Sequence, residues 1–328
     1  MTDTMYMKSK KVFLLVLFLS CFCLSQGAGD KPNILLIITD QQTGMAMSIT
    51  GNPYLHTPAM DWIASNGIRF QKAFSVQPLC KPFRTSLQTG KYPHQTGITT
   101  NGGNGNPGYT LLGKAMTNAG YEVAYHGKWH VGYSGEANYE VFNGSTNDSG
   151  VASRVVSFLE QPRSKPFFLT ASFTNPHDIC QLARALGGRE GNSLPQGPIA
   201  PFPLAEELPP LPDNFEIAED EPGIIREVHT AESTGGLYPT ADYDENTWRK
   251  YLWGYYRLVE KVDAEIYKVM EALQHTGQME STVIIFISDH GEGVSAHQWN
   301  QKCIFYNEVA NIPCIVSFKG TSPGGMVN

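Results

Sequence analysis

The sequence predicts an α/β fold in which a largely parallel central sheet is flanked by helices. Two apolar runs rich in β-branched residues, at positions 33–39 and 282–288, are typical of strands buried on both faces of a parallel sheet. Between them, predicted strands and helices alternate along the chain, which is the pattern of α/β proteins. With 328 residues, 41% of them hydrophobic and 17% charged, the chain can bury a substantial core.

Each predicted element follows from capping residues or from the spacing of apolar residues. Thr57 and Pro58 are typical of the N-cap and first position of a helix, which we expect to run to about Ala64. Helical spacing of apolar residues predicts a long core helix over residues 243–275, ended by Gly277. The other predictions are a strand at 68–74, a helix capped by Thr110 and ending near Gly120, a strand at 121–125, a helix at 149–159, and strands at 166–173 and 313–319.

The region between Gly187 and Gly236 breaks this alternation. It contains prolines that can neither donate to a sheet nor sit well inside a helix, at positions 195, 198, 201, 203, 209, 210 and 212. We therefore expect a long surface loop or insertion. Loops of this length are often lids over active sites, and a passive excursion is an equal alternative.

The first 28 residues are typical of a secretory signal peptide. Lysines within residues 8–11 precede an apolar run at 12–24, and small residues follow. The run is shorter than the roughly 20 residues that span a bilayer, so we expect cleavage, no transmembrane span in the mature chain and a mature domain over residues 29–328. The protein would be exported to the periplasm, the cell surface or the medium, with a lipoprotein attached through Cys21 as an open alternative.

Charge and cysteine content narrow the classes of function. The formal net charge is -7 and no basic stripe is present, so we do not expect nucleic acid as a partner. Two of the six cysteines would leave with the signal peptide. The remaining four, Cys80, Cys180, Cys303 and Cys314, are too few to form a disulfide scaffold.

Both buried strands end in polar residues. Asp40 and Gln41 follow the first strand, and Asp289 and His290 follow the second. Because the carboxyl ends of parallel strands lie at one edge of a sheet, these side chains can converge on one cation. An aspartate after a strand is also common as a helix N-cap, so neither pair alone identifies a metal site.

The segment at residues 79–90 contains Cys80, Pro82 and Arg84 in a Cys-x-Pro-x-Arg pattern, followed by a Thr-Gly pair. This pattern resembles the maturation signature of the formylglycine-dependent (type I) sulfatases of the alkaline phosphatase superfamily. Further motifs stand in that family's order and approximate spacing, namely the strand ending at Asp40, Gly-Lys-Trp-His at 127–130, Asn-Pro-His at 175–177, Ser-Asp-His-Gly at 288–291 and Lys302. The resemblance covers essentially everything after the signal and implies a mixed, largely parallel sheet with helices on both faces.

The resemblance implies a metal site and a modified nucleophile. In the family, the cysteine at the position of Cys80 is oxidised to formylglycine by a maturase, and its hydrate both binds the metal and attacks sulfur. The implied metal shell consists of Asp40, Gln41, Cys80, Asp289 and His290. Calcium is the usual family cofactor and suits oxygen ligands, but the Gln41 amide and the His290 imidazole leave manganese or magnesium open.

The resemblance also implies roles for the charged side chains. Sulfate ester cleavage needs an in-line nucleophile, positive charge over the sulfuryl oxygens and a proton for the leaving oxygen. Hydrated Cys80 would attack sulfur, with Asp289 as the proton acceptor, and Lys128 and Lys302 would neutralise charge on the sulfuryl oxygens. His177 would protonate the leaving oxygen, and His130 would remove the proton of the second hydroxyl. Arg84 would support the formylglycine turn. The implied substrate contacts are Lys128, His177 and Lys302, with His94 and His297 as further candidates.

The sequence departs from the family in two places. Phe83 occupies a position usually held by a small residue, within the signature that the maturase recognises. The chain also stops at Asn328, whereas family members usually continue beyond the strand at 313–319 into a smaller C-terminal subdomain. We therefore expect a truncated or frame-shifted gene product in which that subdomain is largely missing.

These observations predict a sulfuric ester hydrolase that acts on a sulfated carbohydrate. Two alternatives stay open. One is a phosphonate or phosphodiester hydrolase of the same superfamily, which would share the formylglycine, the metal ligands and the lysines. The other is an inactive remnant that binds a sulfated glycan or nothing.

Overall fold

A computed structural model describes residues 31–103, 105, 108–189, 193–234, 239–320 and 323–328. The predicted signal peptide at residues 1–28 lies outside the described residues. Within the described part, no helix combines the length and apolarity that crossing a bilayer requires.

The described strands form one mixed, largely parallel sheet. In chain order they are β1 (Asn33–Asp40), β2 (Gly67–Phe70), β3 (Glu122–Gly127), β4 (Val141–Asn143), β5 (Phe167–Pro176), β6 (Thr282–Ser288), β7 (Cys314–Ser317) and β8 (Gly325–Val327). Their order across the sheet is β4-β3-β5-β1-β6-β7-β2-β8. Strands β4 through β6 in that order are mutually parallel, β7 is antiparallel to β6 and β2, and β8 is parallel to β2. The predicted fold class is confirmed.

The helices follow the strands in the predicted alternation. They are α1 (Pro58–Ser65), α2 (Cys80–Thr89), α3 (Pro93–Thr96), α4 (Leu112–Asn118), α5 (Asp148–Leu159), α6 (Ile179–Leu186), α7 (Gly223–Thr234), α8 (Glu245–His275) and α9 (Asn307–Ala310). Short 3₁₀ helices lie at Ser48–Thr50, Glu136–Asn138, Ala205–Glu207, Met279–Ser281 and Ala296–Gln298.

Strand β1 is the centre of the sheet and is covered on both faces. Leu35 and Ile37 pack into a cluster that includes the apolar face of α8, whereas Leu36 and Ile38 pack into a cluster with Val123 of β3. Successive side chains of a strand point to opposite faces, so an all-apolar strand requires cover on both sides. The continuous apolar run in the sequence therefore predicted this location correctly.

The long helix α8 supplies much of that cover. Asp244 caps it by accepting a hydrogen bond from the backbone nitrogen of Thr247 at 2.7 Å. Fifteen of its 31 residues are buried, between Trp248 and Leu273. The helix predicted for residues 243–275 is thus confirmed. Its buried aromatic rings pack in the core, and the hydroxyls of Tyr251 and Tyr255 also hydrogen-bond to residues that follow β6 and β1.

The prediction for the proline-rich region was wrong in one part. Residues 223–234 form α7, although the segment carries no strong helical pattern of apolar residues. Ile225 and Val228 of this helix pack against a buried cluster around Trp299. Tertiary contacts therefore stabilise a helix that the sequence analysis did not predict.

Smaller differences concern element ends. The fourth helix has Leu111 rather than Thr110 as its N-cap, β2 ends at Phe70, and β5 continues to Pro176. These shifts of one to four residues reflect hydrogen bonding at helix and strand ends that the sequence pattern does not specify.

A buried carboxylate joins α8 to α1. Asp263 accepts hydrogen bonds from the backbone nitrogens of Ala59 and Met60, at 3.1 and 2.9 Å, in the first turn of α1. Burial raises the pKa of Asp263 from 3.8 to about 6, despite these two hydrogen bonds. Because the pKa is higher in the folded state, the folded protein holds a proton that the unfolded chain loses between about pH 4 and pH 6.

We expect the Asp263→Asn variant to lack this pH dependence. The stability of the wild type relative to the variant should fall as the pH rises from about 4 to about 7, by up to about 3 kcal/mol. Urea unfolding of both proteins at several pH values measures the difference. Identical pH profiles for the two proteins would contradict the raised pKa.

Candidate active site

The candidate site lies at the carboxyl ends of three adjacent strands. Thr39 of β1 pairs with Ser288 of β6, and Asp40 pairs with Pro176 of β5. This register brings the residues that end β1 and β6, and those that follow β5, to one edge of the sheet. The convergence predicted from the two polar strand ends is therefore observed.

Cys80 occupies the middle of this edge at the first position of α2. Its side chain is buried, with Sγ 3.1 Å from Nε2 of His290 and 3.3 Å from Nζ of Lys302. His130 and His177 also hydrogen-bond to the Cys80 side chain. Oδ1 of Asp40 also lies 3.8 Å from this sulfur, so the predicted nucleophile position contacts five of the predicted site residues.

The surroundings of Cys80 favour a negative charge. Burial acts to raise the pKa of the Cys80 thiol, but Lys302, Lys128 and His290 outweigh burial and hold the pKa well below its usual value. The position at a helix N-terminus acts in the same direction. Any anionic group placed here, on the protein or on a substrate, meets a preformed positive environment.

Arg84 connects this helix to both strand ends. Its Nε lies 2.8 Å from Oδ2 of Asp289 and its Nη2 lies 3.0 Å from Oδ2 of Asp40. Its Nη1 donates to the carbonyl oxygen of Lys128 and to Oγ of Ser172, both at 2.8 Å. The guanidinium is almost fully buried between the two strand ends, and its implied role in supporting the formylglycine turn stays a prediction.

A glycine places Lys128 in the site. Gly127 has a φ of +113°, and a Cβ there would lie 1.8 Å from the carbonyl oxygen of Ser172. Only glycine fits this close approach of β3 to β5. The chain then turns so that Nζ of Lys128 lies 2.6 Å from Oδ2 of Asp40.

Four side chains at this edge fit a divalent cation. Asp40, Cys80, Asp289 and His290 are buried, and one ligand atom from each lies within 4.8 Å of the others. Nδ1 of His290 lies 2.8 Å from the carbonyl oxygen of Gly291, which holds that nitrogen as the donor and leaves Nε2 as an acceptor for a metal. Burial and the neighbouring Asp40 carboxylate raise the pKa of Asp289, and a cation would relieve that repulsion.

Gln41, the fifth predicted metal ligand, makes other contacts. Its Oε1 accepts a hydrogen bond from Nζ of Lys302 at 2.8 Å, and its Nε2 donates to Glu292. Its backbone nitrogen donates to Oδ1 of Asp289 at 3.1 Å. The residue lies in the site, and its role as a metal ligand stays a prediction.

The two further candidate substrate contacts lie on short helical segments, His94 in α3 and His297 in the 3₁₀ helix at Ala296–Gln298. His94 is exposed and stacks on Tyr92, with ring centroids 5.8 Å apart. His297 stacks on Tyr306 at 4.3 Å, and its Nε2 lies 3.3 Å from Nδ2 of Asn214 in the proline-rich region. Among the described residues, no hydrogen bond joins either histidine to the cluster around Cys80, so their roles stay predictions.

Sequence reasoning missed two residues of the site. Glu292 is fully buried and binds Gln41, and Ser172 accepts a hydrogen bond from Arg84. Glu292 stands two residues after His290 at the end of a buried strand, and an acidic residue at that place is a usable signal. Ser172 lies inside an apolar strand, where nothing in the pattern marks it.

The comparisons with known proteins agree with this geometry. The family model described as Sulfatase matches residues 32–328. The chain therefore belongs to the sulfatase family. A Delta 4,5-hexuronate-2-O-sulfatase of Bacteroides thetaiotaomicron is 30% identical over 316 residues, which is 89% of this chain and 63% of that protein.

Two further sulfatases extend this likeness. An N-acetylglucosamine-6-O-sulfatase of Bacteroides thetaiotaomicron is 25% identical, over 88% of this chain and 63% of its own length. The solved structure of a 2-O GAG sulfatase is 26% identical with a TM-score of 0.77, over 90% of this chain and 68% of that one. The chain thus spans a little under two thirds of the curated relatives it matches.

We expect the Arg84→Met variant to be strongly destabilised in the metal-free protein. The substitution leaves Asp40 and Asp289 buried without their shared partner, and breaking such a pair costs about 3–5 kcal/mol. Urea unfolding in the presence of a chelator measures the loss. The Lys268→Met variant, which breaks the exposed pair with Glu265, is the control and should lose less than about 1 kcal/mol. Equal losses in the two variants would show that Arg84 does not neutralise the carboxylates.

Proposed function

We propose that this protein is a sulfuric ester hydrolase that removes sulfate from a sulfated carbohydrate, with formylglycine at position 80 as nucleophile. The observation that supports the proposal best is the cluster around Sγ of Cys80. A metal-ligand set lies on one side of that atom, and Lys302, His130 and His177 lie within hydrogen-bonding reach of it. An anionic ester bound here would meet a nucleophile, positive charge and a proton donor together.

The metal and the modified cysteine would supply the reacting oxygen and charge stabilisation over sulfur. Asp40, Asp289 and His290 would hold the cation, with Gln41 as a further candidate ligand. We propose calcium, with manganese and magnesium as the alternatives to test. Arg84 keeps the two carboxylates in place from the side of α2.

Lys128 and Lys302 would bind the sulfuryl oxygens. Burial opposes the charge of Lys302, but Cys80, Cys180 and Asp40 outweigh burial and raise the pKa of its ammonium group. Lys302 therefore stays charged at neutral pH. Two compact ammonium groups near the nucleophile can neutralise charge that develops on the sulfuryl group in the transition state.

His177 would exchange a proton with the leaving oxygen. Burial, Lys302 and Lys128 lower the pKa of His177 to about 4. A bound sulfate group would offset the charge of both lysines and raise the pKa of the imidazole. Protonation of His177 would then accompany substrate binding, and the protonated ring could donate to the departing alkoxide. His130 would remove the proton of the second hydroxyl of the hydrated formylglycine at position 80.

The substrate class is proposed from the relatives. The names of two of them specify sulfate esters of hexuronate and of N-acetylglucosamine. We propose a sulfated sugar as the substrate of this chain, without assigning the position of the sulfate. We further propose a signal peptide at residues 1–28, a catalytic domain at 29–328, an exported location and a formylglycine-generating maturase as partner.

The first test is the state of residue 80. After coexpression with a formylglycine-generating maturase, mass spectrometry of the tryptic peptide 73–84 should show the aldehyde at Cys80, and the Cys80→Ala variant provides the control peptide.

The matured protein should hydrolyse sulfated hexuronate or glucosamine and lose this activity after chelation. Faster hydrolysis of phosphonate esters would favour the alternative hydrolase. A folded, matured protein without esterase activity would refute catalysis.

The role of His177 predicts a dependence on the leaving group. We expect His177→Ala to lower kcat on an alkyl sugar sulfate by about 10²-fold or more, because a poor leaving group needs its proton. On 4-nitrophenyl sulfate the same variant should lose about tenfold or less. His275→Ala, at an exposed position at the end of α8, is the control and should match the wild type on both substrates. Equal losses on both substrates would exclude the proposed proton transfer.

A further inference from the structure

Glu292 is a fully buried carboxylate for which the mechanism above has no role. Its Oε2 accepts a hydrogen bond from Nε2 of Gln41, and its Oε1 accepts one from the hydroxyl of Tyr251 on α8 at 2.7 Å. Buried carboxylates are rare unless their oxygens are satisfied by specific donors. Both oxygens of Glu292 are satisfied, and one of the donors belongs to a predicted site residue.

The partners of Gln41 determine which way its amide points. The Lys302 ammonium carries only donors, so the amide atom 2.8 Å from its Nζ has to be the oxygen. The amide nitrogen then faces the carboxylate of Glu292, which accepts from it. The two neighbours thus select the same orientation, and neither would tolerate the reverse one.

We propose that Glu292 is a positioning residue for the sulfatase reaction: by holding the Gln41 amide in one orientation, it places Lys302 against the nucleophile. This inference rests on the proposed function for its effect on the reaction. Nζ of Lys302 lies 3.3 Å from Sγ of Cys80, where it can reach both the nucleophile and a sulfuryl oxygen. A misplacement of about 1 Å at such a position can cost about 10²-fold in rate.

The backbone around Glu292 supports a fixed position. A Cβ at Gly291 would lie 2.1 Å from the carbonyl oxygen of Glu308, and a Cβ at Gly293 would lie 2.4 Å from that of Trp299. Two glycines therefore allow the chain to pass close to its neighbours on both sides of Glu292. The hydroxyl of Tyr251 is itself fixed, since it also lies 2.9 Å from the carbonyl oxygen of Asn300. The close backbone packing and the contact with Tyr251 together restrict where the carboxylate can lie.

The test compares two substitutions of similar size in the matured, calcium-loaded protein. Glu292→Met removes the acceptor for Gln41, and we expect kcat/KM on a sulfated sugar to fall about tenfold or more. Glu292→Gln keeps an acceptor oxygen and should stay within about threefold of the wild type. In the Gln41→Leu background, Glu292→Met should change kcat/KM by less than about twofold, because its effect passes through Gln41. Urea unfolding of each variant, measured alongside its kinetics, controls for loss of stability.

Three kinetic outcomes would overturn the inference. They are unchanged kcat/KM in Glu292→Met, equal losses in Glu292→Met and Glu292→Gln, and an undiminished effect in the Gln41→Leu background. Crystal structures of the wild type and of Glu292→Met give a readout that needs no activity. The 2.8 Å contact between Lys302 and Gln41 should be lost in the variant, and its retention would refute the inference even if the protein proves not to be a sulfatase.

Discussion

The buried guanidinium of Arg84 is the interaction on which the site depends. The sheet register brings the ends of β1 and β6 side by side, and with them the carboxylates of Asp40 and Asp289. Two carboxylates in a dry environment repel each other, and one would normally take up a proton. Arg84 binds both at 2.8–3.0 Å, and Lys128 adds a second cation to Asp40. This neutralisation lets the fold keep metal-ligand chemistry in its interior.

The charged cluster does not itself explain the stability of the fold. A buried ion pair is weak evidence for stability, because desolvation of its charges offsets most of their attraction. The apolar layers on both faces of β1 provide the larger favourable contribution. The apolar core therefore supports the polar edge of the sheet, and the charged side chains at that edge can bind ligands. Lys128, Lys302 and the helix N-terminus at Cys80 all favour an anion at the same point.

Close backbone approaches give the site its precision. Gly127 allows β3 to lie close to β5, which positions Lys128 in the site. Gly291 and Gly293 allow the chain after β6 to lie close to its neighbours, which positions Glu292. Most of the side chains that surround the nucleophile therefore come from strand ends and from the start of α2, whereas Lys302 lies in the connection that follows β6. His94 and His297 lie instead on short helical segments within the connections between the main elements, and such connections are where substrate specificity usually varies.

The sequence by itself determined the α/β class, the two central strands, the core helix α8 and the family, because these depend on local periodicity and on motifs read in order. It also identified the residues that surround Cys80. Only the tertiary structure decided that residues 223–234 form a helix, since Ile225 and Val228 gain their packing partners about 70 residues away around Trp299. It likewise decided that Gln41 contacts Lys302 and Glu292. Hydrogen bonds between residues about 250 positions apart depend on sheet register, and no local pattern records that register.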